Sequence, residues 1–160
     1  MAVGTVDFDA LHTSSDSDSK RFIALGWLRL PLSSENVAYA RRFTRMVVEL
    51  SGGSAVALDD AELIVSELFT NVVVHVDQEP AELGALVAFA RRGDMLRLEV
   101  HDAGEPVAQP EEPETTDEGG RGLWIVGALA ERWGVSETPV GKCVWAEIEA
   151  WSEASASTEA

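Results

Sequence analysis

A single cysteine, Cys143, stands in the 160 residues. One thiol excludes a disulfide framework within the chain and any zinc site built from several thiolates. Long apolar runs are missing too, and nothing approaches the about 20 apolar residues of a membrane-spanning helix. The opening MAVGTVDFDALHTSSDSDSK has no basic start followed by an apolar block, so it does not read as a secretory signal. These absences lead to the expectation of a cytoplasmic protein without a membrane role. Positive charge is also scarce: 12 Lys and Arg stand against 28 Asp and Glu, for a net charge of −16. Proteins that bind nucleic acid directly neutralise phosphates with a basic face, and none is available here.

The acidity is localised. Residues 1–20 carry −3, residues 105–118 carry −6 and residues 151–160 carry −2. Those three segments are polar, with little periodicity, and their charge is read as solubilising. What remains is one domain's worth of chain, 46% hydrophobic, which is ordinary for a globular core. The expected division is a disordered tail over 1–20, a folded domain over 21–150 and a flexible tail over 151–160.

Within the domain, WLRLP (27–31) alternates like a short strand. Ser33 or Ser34 caps a helix to about Leu50, where Gly52-Gly53 stops it. Val37, Ala40, Phe43 or Thr44, Val47 and Leu50 form its buried stripe. Arg41, Arg42 and Arg45 lie off that stripe, as a solvated face or a partner surface. The box DDAE (59–62) opens a second helix that runs to His75. Its end, VVVHV, favours strand, but a deficit of roughly half a kcal/mol per residue yields to packing. Residues 83–91 and 95–101 form a hairpin about Gly93-Asp94. Residues 105–120 hold three prolines and two terminal glycines and read as a mobile loop; 122–134 read as a helix; two strands then flank PVGK. The order β-α-α-β-β-loop-α-β-β implies a two-layer α+β sandwich, of the α/β class. Its sheet is expected to be mixed, of about five strands, with three helices on one face.

Three polar islands interrupt this apolar pattern. In ELFTNVVVH, Glu67, Asn71 and His75 share a helix face. A carboxylate there can deprotonate a hydroxyl, and a carboxamide oxygen one turn away can ligate Mg²⁺; the plainer reading is a polar stripe facing solvent. In HDAGEP, Asp102 ends a strand and Gly104 lets the backbone pass close to a ligand. An acceptor-only carboxylate suits an exocyclic amino group such as adenine's, although an Asp-Gly turn is equally in keeping with the letters. In GGRGL, Gly119, Gly120 and Gly122 open a helix whose N–H groups and dipole favour an anion. Arg121 adds a phosphate partner there; a hinge is the alternative. The spacing is neither a P-loop nor G-x-G-x-x-G.

The ordered set resembles the GHKL (Bergerat-fold) ATP-binding family, and within it the RsbW-like branch of anti-sigma factor serine/threonine kinases. ELIVSELFTNVVVH is similar to that branch's N box, HDAGEP to its first glycine box, GGRGLWIVGALAERWGV to its second, and GKCVWAEI to its closing strand. The likeness covers about residues 26–149. It implies a Bergerat-type sheet with an ATP lid at about 105–120, and ATP and Mg²⁺ as cofactors. By position, Glu67 would be the catalytic base and Asn71 the Mg²⁺ ligand. Asp102 would take the adenine amino group, supported by Gly104. Gly119, Gly120, Arg121, Gly122 and Leu123 would line the phosphates, and His75, kept from the N box, would either cap the helix or contribute to ATP binding. Cys143 falls where the family often has a threonine beside the adenine, and Val74 replaces a frequent arginine. The implied function is phosphorylation of a serine or threonine on an anti-anti-sigma (STAS-type) partner, which sets the availability of a sigma factor. A homodimer is in keeping with the branch. The alternative is an ATP-binding switch or interaction module without kinase activity, to which the cysteine lends weight.

Overall fold

The computed structural model describes residues 21–75, 84–104 and 121–152. β1 (Ile23–Leu30) leads into α1 (Asn36–Leu50) and α2 (Ala55–His75), followed by β2 (Ala85–Arg92) and β3 (Met95–Asp102), then α3 (Arg121–Leu129), β4 (Arg132–Thr138) and β5 (Gly141–Glu149). The five strands form one sheet in the order β1-β2-β3-β5-β4. The expected two-layer α+β sandwich of five strands and three helices is present. The sheet is not mixed, however: every neighbouring pair is antiparallel. β3 and β4, joined through α3, do run in the same direction, but β5 is inserted between them, so their parallel relation never becomes a ladder.

Strand alternation divides the sheet into two unlike faces. Val87 and Phe89 of β2, Leu96, Leu98 and Val100 of β3, and Ala146 and Ile148 of β5 are buried on the helix side. Against them pack Val48 of α1, Ile64, Val65, Leu68, Phe69 and Val72 of α2, and Val126 of α3. α2 is the middle helix, touching both α1 and α3. Its helical end resolves the conflict over VVVH: Val72 is buried, and burying it outweighs the strand preference of the run. No helix among the described residues is long and apolar enough to cross a membrane.

Several boundaries differ from the sequence expectation, each for a local reason. β1 starts four residues before Trp27, with a register shift between Ala24 and Gly26. α1 begins after Glu35 with no side-chain cap; the carbonyls of Ser33 and Ser34 accept from Asn36 and Val37 instead. Its buried stripe is Ala40, Thr44, Val47 and Val48, and Leu50 is 81% exposed. The buried Thr44 hydroxyl is satisfied by donating to the Ala40 carbonyl at 2.8 Å. α2 starts at Ala55, capped by Ser54 Oγ, which accepts from Ala57 N–H at 3.1 Å. The DDAE box therefore lies inside the helix, and Glu62 bonds Arg45 of α1 at 2.9 and 3.1 Å.

α3 ends at Leu129, short of the expected 134, because Glu131 N–H is taken by the Glu147 carbonyl at 2.9 Å, drawing the chain into the sheet. Trp151, grouped with the tail in the sequence, belongs to the core: it is 9% exposed, and its indole N–H donates to the Ser51 carbonyl at 2.9 Å. The expected tail at 1–20, the lid at 105–120 and, of the expected tail at 151–160, residues 153–160 lie outside the described residues.

Candidate functional site

Asp102 is the last residue of β3 and points to the helix side of the sheet. It is 5% exposed. Its Oδ1 accepts from Gly104 N–H at 2.7 Å, an Asx-type turn that holds the carboxylate still. Its Oδ2 is buried and has no hydrogen-bond partner among the described residues. Burial pushes this carboxyl above its ordinary range, while the Gly104 N–H, Lys142 and His101 pull the other way and do not cancel the burial. A buried acceptor without a donor costs stability, on the order of 1–3 kcal/mol, so the oxygen reads as waiting for a ligand's N–H. Gly141 makes the geometry possible. A Cβ there would collide with the Asp102 carbonyl oxygen and lie 2.7 Å from Ala103 Cα.

On α2, Glu67 and Asn71 are half-buried and one turn apart. α3 begins directly above them. A Cβ on Gly122 would stand 2.9 Å from Glu67 Oε2 and 3.9 Å from Asn71 Oδ1. A methyl group there would make the Glu67 carboxylate shift, so glycine lets the α3 N-terminus settle directly on this carboxylate and carboxamide. Two of the three islands thus meet, and α2 packs across β3, the strand that ends at Asp102. The N-terminal N–H groups of α3 have no partners within the helix, and they open where Glu67 and Asn71 lie.

The remaining expected residues divide. Gly104 supports Asp102 as anticipated. Arg121 is the first residue of α3 and is exposed, free to reach an anion. Leu123 packs its side chain on the core, which leaves its backbone N–H as what it can offer. His75 ends α2, and its side chain lies outside the described residues, as do Gly119 and Gly120. Cys143 is misplaced in the sequence reading. Its register partner is His101, so it lies on the opposite face of the sheet from Asp102. Its sulfur is within 4.8 Å of donor atoms of Glu99 and His101. That trio could suggest a metal, but Glu99 is already engaged by Arg97 Nε at 2.6 Å and His101 Nε2 at 2.7 Å.

The residue that β5 does place beside Asp102 is Lys142, with Nζ 3.8 Å from Oδ1. Sequence reasoning missed it. The available signal was compositional: of two lysines, Lys20 and Lys142, only this one lies within the domain.

Comparison with known proteins finds relatives of the whole domain. Residues 30–148 match the family model described as histidine kinase-like ATPase domain. The chain is 28% identical over 117 residues to the serine-protein kinase RsbW of Staphylococcus epidermidis, covering 65% of this chain and 74% of that protein. It is 26% identical over 125 residues to the serine-protein kinase RsbW of Staphylococcus aureus, covering 70% and 79%. Among solved structures it resembles the RsbU and RsbW domains of a Mycobacterium tuberculosis protein, with a TM-score of 0.59 and 20% identity over 78% of this chain. The match spans about a third of that longer chain, 32%, and the likeness is one of fold.

Proposed function

The chain belongs to the histidine kinase-like ATPase domain family, and we propose that it is an ATP-dependent protein serine/threonine kinase of the anti-sigma factor type. The observation that carries the proposal is the seat of Gly122 on Glu67 and Asn71. It brings a helix N-terminus, with its unpaired N–H groups, against a carboxylate and a carboxamide, which supports reading the three as phosphate site, base and metal ligand. ATP fits the residues present: Asp102 Oδ2 has no partner among the described residues and can accept from its amino group, and the glycine at 122 brings the α3 N-terminus close to Glu67 and Asn71. Bound there, ATP supplies the phosphoryl group that is transferred.

The chain's own groups do the rest. Asp102 orients the base by accepting the amino hydrogen. The N–H groups of Gly122 and Leu123, with the Arg121 guanidinium, hold phosphate oxygens. Asn71 Oδ1 offers Mg²⁺ one oxygen ligand. Glu67 accepts the proton of the partner's hydroxyl as that oxygen bonds to phosphorus and the diphosphate oxygen leaves. Catalysis of this kind rests on positioning and charge neutralisation. The partner is an anti-anti-sigma protein of the STAS type, and the regulated quantity is free sigma factor. This reading is supported by the serine-protein kinases RsbW to which the chain is similar. The weight that Cys143 lent to a binding module without transfer is reduced, because that residue lies on the other face of the sheet.

Glu67→Ala is expected to bind ATP within about threefold of the parent protein while losing transfer by at least about a thousandfold. Calorimetry reads the first, and labelled phosphate on a STAS-type partner reads the second. Transfer at the parent rate would remove Glu67 from the catalytic role.

A further inference from the structure

Where β3 ends and β5 begins, two opposite charges face one another without bonding. Asp102 and Lys142 are register partners, so their side chains share the helix face of the sheet. Lys142 Nζ is 3.8 Å from Asp102 Oδ1, beyond hydrogen-bond range. The two side chains are 14% and 0% exposed. The other ion pairs among the described residues close at 2.6–3.3 Å, and apart from one histidine they are made by arginine. Lys142 makes no hydrogen bond to another described residue. An ammonium carries three donors and no acceptor. Mostly withdrawn from water, it gains by giving one of them to a ligand acceptor. The Asp102 oxygen beside it is bonded by Gly104, and the second has no partner among the described residues. The pair therefore presents an acceptor and a donor side by side.

That pattern complements one edge of adenine. The exocyclic amino group donates, and the ring nitrogens on either side of it, N1 and N7, accept. We propose that Lys142 donates to a ring nitrogen adjacent to the amino group bound by Asp102, so that the two residues read the base together. This rests on the nucleotide reading of Asp102 given above. On the N1 side the pair also rejects guanine, whose carbonyl would face the carboxylate and whose N1–H would face the ammonium.

The test is a cycle of affinities measured by calorimetry on the full chain, with ATP, 1-deaza-ATP and 7-deaza-ATP against the parent protein and Lys142→Met. Methionine keeps the unbranched stem and removes the donors. The parent protein is expected to bind ATP roughly tenfold tighter than one of the two analogues, the loss of one charge-assisted hydrogen bond. In Lys142→Met that gap shrinks to less than about twofold, because ATP weakens and the analogue does not. The analogue that loses affinity identifies the nitrogen. If neither analogue is penalised in the parent protein, or if the penalty survives in Lys142→Met, the assignment of Lys142 is overturned. The parent protein alone decides the first point, so a poorly folding variant does not rescue the idea. Should the parent protein fail to bind ATP at millimolar concentration, the nucleotide reading falls and takes the Lys142 assignment with it. ATP binding with a null cycle removes Lys142 alone.

Discussion

Glu99 and Asp102 are both buried carboxylates on β3, three residues apart and on opposite faces of the sheet. Glu99 is bonded on both oxygens, by Arg97 and His101. Its neighbour across β5, Glu147, is 1% exposed and gathers Arg132, Arg97 and Arg92. Burial alone would push both carboxyls up; the arginines and His101 outweigh it and hold them below the ordinary range. Among the described residues Asp102 has one backbone donor, a lysine that stops short, and an oxygen without a partner, and its carboxyl is pushed up. A carboxylate saturated from within the fold serves the fold. On the proposed reading, one that the fold buries and leaves half-satisfied is held for a ligand.

The comparison is tested most severely by removing each carboxylate. Glu147→Ala leaves three guanidinium groups without their shared anion. It is expected to cost about 3 kcal/mol in urea denaturation, and to move ATP affinity by less than about twofold. Asp102→Asn should behave in reverse. The amide cannot both accept from Gly104 N–H and accept the adenine amino group, so ATP affinity falls by about a hundredfold. Stability should hold or rise, since a buried charge is removed. A large loss of stability in Asp102→Asn, or of ATP affinity in Glu147→Ala, would erase the distinction between the faces.

Acid separates the two faces with a smaller effect. Glu99 and Glu147 lie below their ordinary 4.5 when folded. The unfolded chain protonates first, so their contribution is full above that value and is lost as the pH falls toward the depressed ones. Asp102 lies above its ordinary 3.8 when folded. Here the folded state takes the proton first, so stability rises as the pH falls from the raised value to 3.8. Urea midpoints at about pH 6.5 and about pH 3.5 should therefore fall less in Glu147→Gln than in the parent protein, and more in Asp102→Asn.

How much of this was legible depended on how local the deciding interaction is. Glu67 and Asn71 could be paired from their helical spacing, and Asp102 from its place between an apolar strand and a glycine. Lys142 and Cys143 could not be sorted. Neighbours on a strand point to opposite faces, and which one faces Asp102 depends on a register with β3 that is set some forty residues away. The helix ends failed for similar reasons. Ser54 caps α2 because Ala57 and Leu58 are drawn into the core, while the stronger-looking Asp59 box has no such role. The helical period of AERW is overruled by the bond from Glu131 to β5. Trp151 looked like tail because its partners, Ser51 and Arg91, are remote in sequence.

The smallest expected effect sharpens the comparison at a single residue. Cys143 stands one position from Lys142 yet faces Glu99 and His101. Burial, and then the Glu99 charge, push its thiol well above the usual range, and Arg97 only partly offsets them. It should remain a thiol, and native protein at about pH 8 should resist iodoacetamide until denaturant is added. Cys143→Ser replaces it with a group of similar size and should change ATP affinity by less than about twofold, while Lys142→Met, one residue away, changes it about tenfold. Equal effects at the two positions would mean that β5 presents both side chains to one ligand, which strand alternation forbids.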